Sequence, residues 1–150
     1  MTIRNAKMED IKEIYALLSH FAGQGLLLGR SLSSLYDQLR DFKVYESEGK
    51  VCGACALHVC WENLAEIRSL AIDDPKQRQG VGTRLVSACL DEAAELGIKR
   101  IFALTYQPGF FQKLGFKPID KGDLPHKVWS DCIHCPKFPD CNEEALLLER

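Results

Sequence analysis

Near the start of the chain, apolar residues recur at helical spacing. Ile11, Ile14, Tyr15, Leu18 and Phe21 fall on one side of a helix that opens at Glu9, and Gly23 and Gly25 end it. TIRNA, just before it, reads as a short strand. After the loop GQGLLLGR, the segment SLSSLYDQLR predicts a second short helix, with Ser31 or Ser33 as N-cap and Leu32, Leu35, Tyr36 and Leu39 on one side. The pattern then changes. In FKVYESEGKVCGACALHVCW, alternating or continuous apolar residues flank Ser47, Glu48, Gly49 and Lys50, which predicts a hairpin. A tight connection at Glu62 and Asn63 leads into another strand, NLAEIRSLAID. From Gly80 to Leu96, the residues Val81, Leu85, Val86, Cys89, Leu90 and Ala93 make one apolar stripe, and Gly97 suits the position just past a helix end. A strand over 99–105, a short helix around FFQKL, a strand at FKPI and a last strand in ALLLE complete the series.

Strand, two helices, three antiparallel strands, helix, strand, helix, strand is the order of an α+β domain. Its sheet is mixed, mostly antiparallel and twisted, and is flanked by helices. At 150 residues the chain fits one domain over 1–150, with a cysteine-containing tail at about 124–142 inside it.

Charge and composition narrow the function. The 46% hydrophobic and 27% charged content is that of an ordinary globular protein, and a formal net charge of −2 supplies no field for nucleic acid. The longest apolar run is too short to cross a bilayer, and MTIRNAKMEDIKE does not resemble a signal peptide, so no membrane partner and a cytoplasmic location are expected. The sequence leaves a homodimer open. Seven cysteines, an odd number in no secretory context, are read as reduced thiols. Cys52 and Cys55, an odd separation on a strand, are expected on opposite faces.

The sharpest motif is Gln77-Arg78-Gln79-Gly80-Val81-Gly82, after a strand and opening the long helix. Glycines let a bulky anion approach the backbone, and the unpaired amides of a first helical turn donate to phosphate oxygens with the helix dipole behind them. Lys76, Arg78 and Arg84 add local positive charge. A glycine loop that merely turns into the helix is the plainer reading. The third glycine of a dinucleotide fingerprint is absent, and so is the Gly-Lys-Ser/Thr of a P-loop.

Over Glu66 to Pro118, EIRSLAIDDPKQRQGVGTRLVSACLDEAAELGIKRIFALT and FFQKLGFKP resemble the acetyl-CoA motif of the GNAT acetyltransferase superfamily and the motif that follows it. The resemblance implies a GNAT-type fold and acetyl-CoA as co-substrate. Its pyrophosphate would be held at Gln77, Arg78, Gln79, Gly80, Val81, Gly82 and Thr83. It also implies a bulged strand splayed from its neighbour, with the backbone of Leu70 and Ile72 meeting the pantetheine arm; both side chains also suit the sheet core. Glu66, where similar acetyltransferases carry a glutamate, is the candidate general base, its plainer role being a solvated strand carboxylate or a partner for Arg68. A backbone amide between Leu70 and Ile72 is the candidate oxyanion donor. Many members have a tyrosine as general acid where this chain has Phe111, which is assigned to the cofactor site. Tyr106, nearby in sequence but not in that place, is the candidate acid, and a thiolate leaving without one is the alternative.

LLLGRSLSSL, AEIRSLAI, IFALT and FKPIDKGDLP further resemble the acetyltransferase domain of N-acetylglutamate synthases. The tail LPHKVWSDCIHCPKFPDCNEEALLLE is similar to their short stand-alone bacterial form, which lacks the amino-acid-kinase domain. This implies glutamate or glutamine as the small-molecule acceptor, in arginine biosynthesis. A dicarboxylic amino acid needs fixed cations, and arginine's planar fork grips carboxylates in bidentate fashion. Arg30 and Arg68 are the leading substrate ligands, with Ser31, also suited to an N-cap, and Gln107 beside them. The alternatives are a GNAT enzyme for a polyamine, an aminoglycoside or a protein N-terminus, and a non-catalytic acetyl-CoA sensor, which Phe111 motivates. Cys132, Cys135 and Cys141 have the spacing of a partial zinc site that His126 or His134 would complete, but three cysteines in a loop stiffened by Pro136 and Pro139 read as buried thiols, and no metal is expected.

Overall fold

Every element that the hydrophobic pattern predicts is formed. The computed structural model describes residues 2–25, 29–77, 79–124 and 144–150. In chain order these build β1 (Thr2–Asn5), α1 (Ile11–Gly23), α2 (Leu32–Asp37), β2 (Phe42–Ser47), β3 (Lys50–Trp61), β4 (Leu64–Ile72), α3 (Val81–Glu95), β5 (Arg100–Thr105), α4 (Pro108–Lys113), β6 (Lys117–Ile119) and β7 (Glu144–Glu149). Glu9 belongs to a 3-10 turn, Met8–Asp10, that precedes α1. The β2–β3 turn has Glu48 at φ 55 and Gly49 at φ 74, the left-handed pair that matches the twist of a two-residue hairpin.

The strands lie in the order β1-β2-β3-β4-β5-β7-β6. Neighbours run antiparallel except β4 and β5, which α3 connects as a crossover and which are parallel. On one face, Val81, Leu85, Val86, Cys89 and Ala93 of α3 bury against Cys55, Leu57, Ala65, Ile67, Ile101 and Ala103. The other face carries two apolar clusters. Ile11, Ile14, Leu18 and Phe21 of α1 with Leu35 cover Phe42, Val44, Ala54, Ala56 and Ala71, while Leu64, Phe102, Ala145 and Leu147 pack with Leu124 farther along. Each large aliphatic side chain so buried contributes about 1.5–3 kcal/mol.

Some side chains depart from the pattern. Tyr15 is 39% exposed, and on α2 only Leu35 is buried, with Leu32 at 37% and Tyr36 at 40% exposure. The stripe on α1 is narrower than the spacing suggests, and a helix of under two turns can turn only one such residue inward. Cys52 and Cys55 lie in the same apolar cluster, contrary to the alternation rule. Tyr45 pairs with Gly53 and Glu46 with Val51, so Cys52 is the extra residue of a β-bulge and alternation restarts across it. Among the described residues Cys52, Cys55, Cys60 and Cys89 form no disulfide.

Two more irregularities shape β4. Ala54 pairs with Ala71 but Ala56 with Arg68, which leaves an extra residue on β4 where Ser69 takes φ 57. Before it Ala65 and Ile67 face α3, and after it Leu70 and Ile72 do. The third lies at Cys60, between the pairs Val59–Ala65 and Trp61–Leu64.

Candidate active site

The start of α3 is shaped by its two glycines. Gly80, the N-cap, sits at φ 78 and ψ 6, a conformation that costs an L-residue about 1–2 kcal/mol. A Cβ on Gly82 would lie 3.3 Å from the Phe110 ring, so the backbone there is closely covered on one side. The first helical bond runs from the Arg84 amide to the Gly80 carbonyl at 3.1 Å. The amides of Val81, Gly82 and Thr83 precede it and have no acceptor within the helix, and Gly80 has no side chain to cap them. Nearby glutamines turn elsewhere: Gln77 Nε2 donates to the Ile72 carbonyl at 3.0 Å and to Asp74 Oδ1 at 3.1 Å, and Gln79 Nε2 to the Pro75 carbonyl at 3.0 Å. Among the described residues no side chain caps these amides, and their arrangement fits a diphosphate. The Arg84 guanidinium lies 5.9 Å from the centre of the Tyr45 ring. Arg78 lies outside the described residues.

Beside this cradle the sheet opens. β4 pairs with β5 only through Leu64–Arg100, Ala65–Ile101 and Glu66–Phe102, and beyond Phe102 β5 continues against β7 alone. The bulge at Ser69 turns the remainder of β4, so Leu70 and Ile72 follow the split. Their side chains pack partly buried on the α3-side core, and the Ile72 carbonyl accepts from Gln77.

Glu66 stands at the last paired position before the split, 8% exposed. It shares the face opposite α3 with Arg68, as regular alternation before the bulge requires. Arg68 Nη1 lies 3.6 Å from Glu66 Oε1, and Arg68 Nη2 donates to Gln38 Oε1 at 2.9 Å. The same Gln38 oxygen accepts from Arg30 Nη2, whose guanidinium also bonds Ser34 Oγ at 2.8 Å. Two arginines 38 positions apart in sequence thus meet on one neutral acceptor next to a carboxylate. Asp41 adds to the cluster, its Oδ2 2.7 Å from His58 Nδ1, and His58 is the cross-strand partner of Glu66. These polar groups occupy the sheet face between the two apolar clusters.

Gln38, Asp41 and His58 escaped the sequence reading. Gln38 sits three residues after the Leu35 that anchors α2, a spacing that could have flagged it. Ser31 is the N-cap of α2, its Oγ accepting from the Ser34 amide at 3.1 Å. Tyr106 stands half-buried at the bend after β5, and Gln107 is the exposed N-cap of α4, its amide donating to Thr105 Oγ1 at 2.9 Å. Phe111 is 5% exposed and packs edge-on against Phe110 and Phe116 in the core, so Phe110 is the ring that covers the start of α3. Cys132, Cys135, Cys141, His126 and His134 lie outside the described residues.

Residues 10–116 match the family model described as the acetyltransferase (GNAT) family. The chain belongs to this GNAT acetyltransferase family. It is an acetyl-CoA-dependent N-acetyltransferase. Over 145 residues it is 38% identical to an uncharacterized N-acetyltransferase of Chlorobaculum tepidum, covering 97% of this chain and 94% of that protein. An amino-acid acetyltransferase of Mycobacterium tuberculosis is 35% identical over 132 residues, covering 86% of this chain and 75% of the relative. Among solved structures, an N-acetylglutamate synthase of Neisseria gonorrhoeae in complex with coenzyme A and N-acetyl-glutamate superposes with a TM-score of 0.88 at 30% identity, over 99% of this chain and 34% of that one. No helix among the described residues is long and apolar enough to cross a membrane.

Proposed function

We propose that this acetyltransferase acetylates the α-amine of glutamate or glutamine by direct transfer from acetyl-CoA, a reaction that belongs to arginine biosynthesis. The observation that carries the reading is the meeting of Arg30 and Arg68 on Gln38 beside Glu66. Two guanidinium forks gathered on one neutral amide, with the carboxylates of Glu66 and Asp41 nearby, offer planar donors that suit a carboxylated acceptor. The relatives named above, an amino-acid acetyltransferase and an N-acetylglutamate synthase, support the same choice.

In the reaction, the α-ammonium loses one proton to Glu66, and the freed amine attacks the thioester carbonyl. The new C–N bond forms as the carbonyl oxygen takes on negative charge, which a backbone amide between Leu70 and Ile72 stabilises. Collapse breaks the C–S bond, and the thiolate takes up the second proton of the nitrogen, with Tyr106 the candidate donor on its way. The amides of Val81, Gly82 and Thr83, with Arg78 and the backbone of Gln77, Gln79 and Gly80, hold the diphosphate. A base so placed contributes roughly 10²–10⁴-fold. The test is release of free thiol from acetyl-CoA with a panel of amino acids and amines. Turnover with glutamate or glutamine is expected, and no rate with either would sink the assignment.

A further inference from the structure

The net reaction of an ammonium acceptor, R–NH₃⁺ with acetyl-CoA giving R–NH–acetyl and the thiol, releases one proton per turnover. Glu66 accepts that proton at a position 8% exposed, so it must discharge to water before the next cycle. A carboxyl group that stays protonated is no base. The groups around it show where the proton goes.

β3 and β4 bring His58 directly opposite Glu66, on the same face of the sheet. Side chains so paired have Cβ atoms about 4.5–5.5 Å apart. Asp41, in the 3-10 turn that leads into β2, lies 2.7 Å from His58 Nδ1. An ionised carboxylate only accepts, so in the neutral form of the ring Nδ1 carries the hydrogen and Nε2 keeps its lone pair. The His58 side chain is 31% exposed and so reaches solvent, while its cross-strand partner Glu66 is buried. Among the described residues, the charged groups on the elements beside His58 are Asp41 and the exposed Arg40 of the same turn, with Glu66 and Arg68 on β4.

We propose that the Asp41–His58 pair is the proton outlet of Glu66. After the amine is deprotonated, His58 Nε2 takes the proton from the Glu66 carboxyl, directly or through one water, and the imidazolium releases it to bulk. Asp41 is a positioning residue: it fixes the tautomer that leaves Nε2 free and steadies the charged ring. The inference rests on the reading of Glu66 as the base.

The experiment compares Glu66→Gln, His58→Ala, His58→Gln and Asp41→Asn by steady-state kinetics from pH 6 to 9, with and without added imidazole. Glu66→Gln comes first. If it leaves the rate intact, the base assignment fails and the outlet fails with it. With Glu66 established, both His58 variants are expected to lose roughly 10- to 100-fold in kcat near neutral pH, with KM for acetyl-CoA and the amine within about twofold. Imidazole in solution should restore much of the His58→Ala rate, which a purely structural role would not allow. Asp41→Asn should lose less and shift the acid limb of the kcat profile. Wild-type turnover in His58→Gln, or a His58→Ala loss that imidazole leaves untouched, overturns the proposal while the base assignment stands. If His58→Ala does not fold, His58→Gln, which keeps a donor for Asp41, decides alone.

Discussion

The two halves of the proposed active site are made in different ways. The coenzyme half is a run of consecutive residues, Gln77 to Thr83, whose working groups are main-chain amides freed by a helix start. The acceptor half gathers side chains of Arg30, Gln38, Asp41, His58, Glu66 and Arg68 from two loops, the end of α2 and two strands. A site made of backbone is fixed once its local conformation is fixed. A site made of side chains depends on the whole sheet being in register, and this difference predicts that mutations will separate the two cleanly.

The largest separation is expected from Glu66→Gln. It keeps the shape and the hydrogen-bonding reach of the side chain but removes the proposed base, so kcat should fall by roughly 10²-fold or more while KM for acetyl-CoA stays level. Steady-state assays with each substrate varied in turn check this. A change in acetyl-CoA affinity as large as the change in turnover would mean that the halves are not independent.

Next in size is Arg68→Met, which preserves much of the stem and removes the fork. Losing a charge-assisted contact to a carboxylate should raise KM for glutamate by roughly 10- to 100-fold and leave acetyl-CoA binding unchanged. Arg30→Met should act in the same direction. If both variants bind glutamate as the parent does, the cations on this face serve packing, and the acceptor assignment loses its footing.

The mirror image is Gly80→Ala with Gly82→Val. The first forces an L-residue to φ 78 and the second sets side-chain atoms against the Phe110 ring at the point where the amides are presented. Together they should weaken acetyl-CoA binding by roughly tenfold, with the affinity for glutamate spared. Calorimetric titration with coenzyme A reads this directly.

The same contrast decides what could be seen in the sequence. The cradle was legible because its glycines, its strand and its helix are contiguous, and the elements were legible because the 3.6 and 2.0 periodicities are strong in α1, α3 and the long hairpin. Arg30, Glu66 and Arg68 came from resemblance, and each falls in the polar cluster. Gln38, Asp41 and His58 did not come at all, for a reason that can be stated. An ideal two-residue connection at Glu62 and Asn63, continuing the pair Trp61–Leu64, would set His58 opposite Ile67. The extra residue at Cys60 slips the register by one and sets it opposite Glu66. A bulge has no signature in the hydrophobic pattern. The one at Cys52 defeated the alternation rule for Cys52 and Cys55 in the same way.

A last test uses an arginine of the other kind. Arg4 bonds two carboxylates, Asp10 at 2.7 and 3.0 Å and Glu46 at 2.6 Å, and so has no charge to offer a ligand. Arg30 and Arg68 meet on the neutral amide of Gln38, and Arg68 also lies 3.6 Å from Glu66 Oε1. Asp10 is 4% exposed and also accepts from the Lys7 amide at 2.7 Å. The Arg4 guanidinium, as the largest influence, holds the Asp10 carboxyl below the usual carboxylate range, against the opposing effect of burial. A folded-state pKa that is lowered contributes stability present above the unfolded value of about 3.9 and lost as pH falls through the folded one. Asp10→Asn should therefore cost about 1–3 kcal/mol near neutral pH, and this deficit should shrink below about pH 4 as the parent's own carboxyl takes up its proton. Thermal melts of both proteins at pH 7, 5, 4 and 3 follow it. In the same variant kcat and both KM values should stay within about twofold at temperatures well below the melt. A rise in KM for glutamate here would show that the bridge at β1 and the cluster at β4 are mechanically joined, and that the division between structural and substrate arginines is drawn in the wrong place.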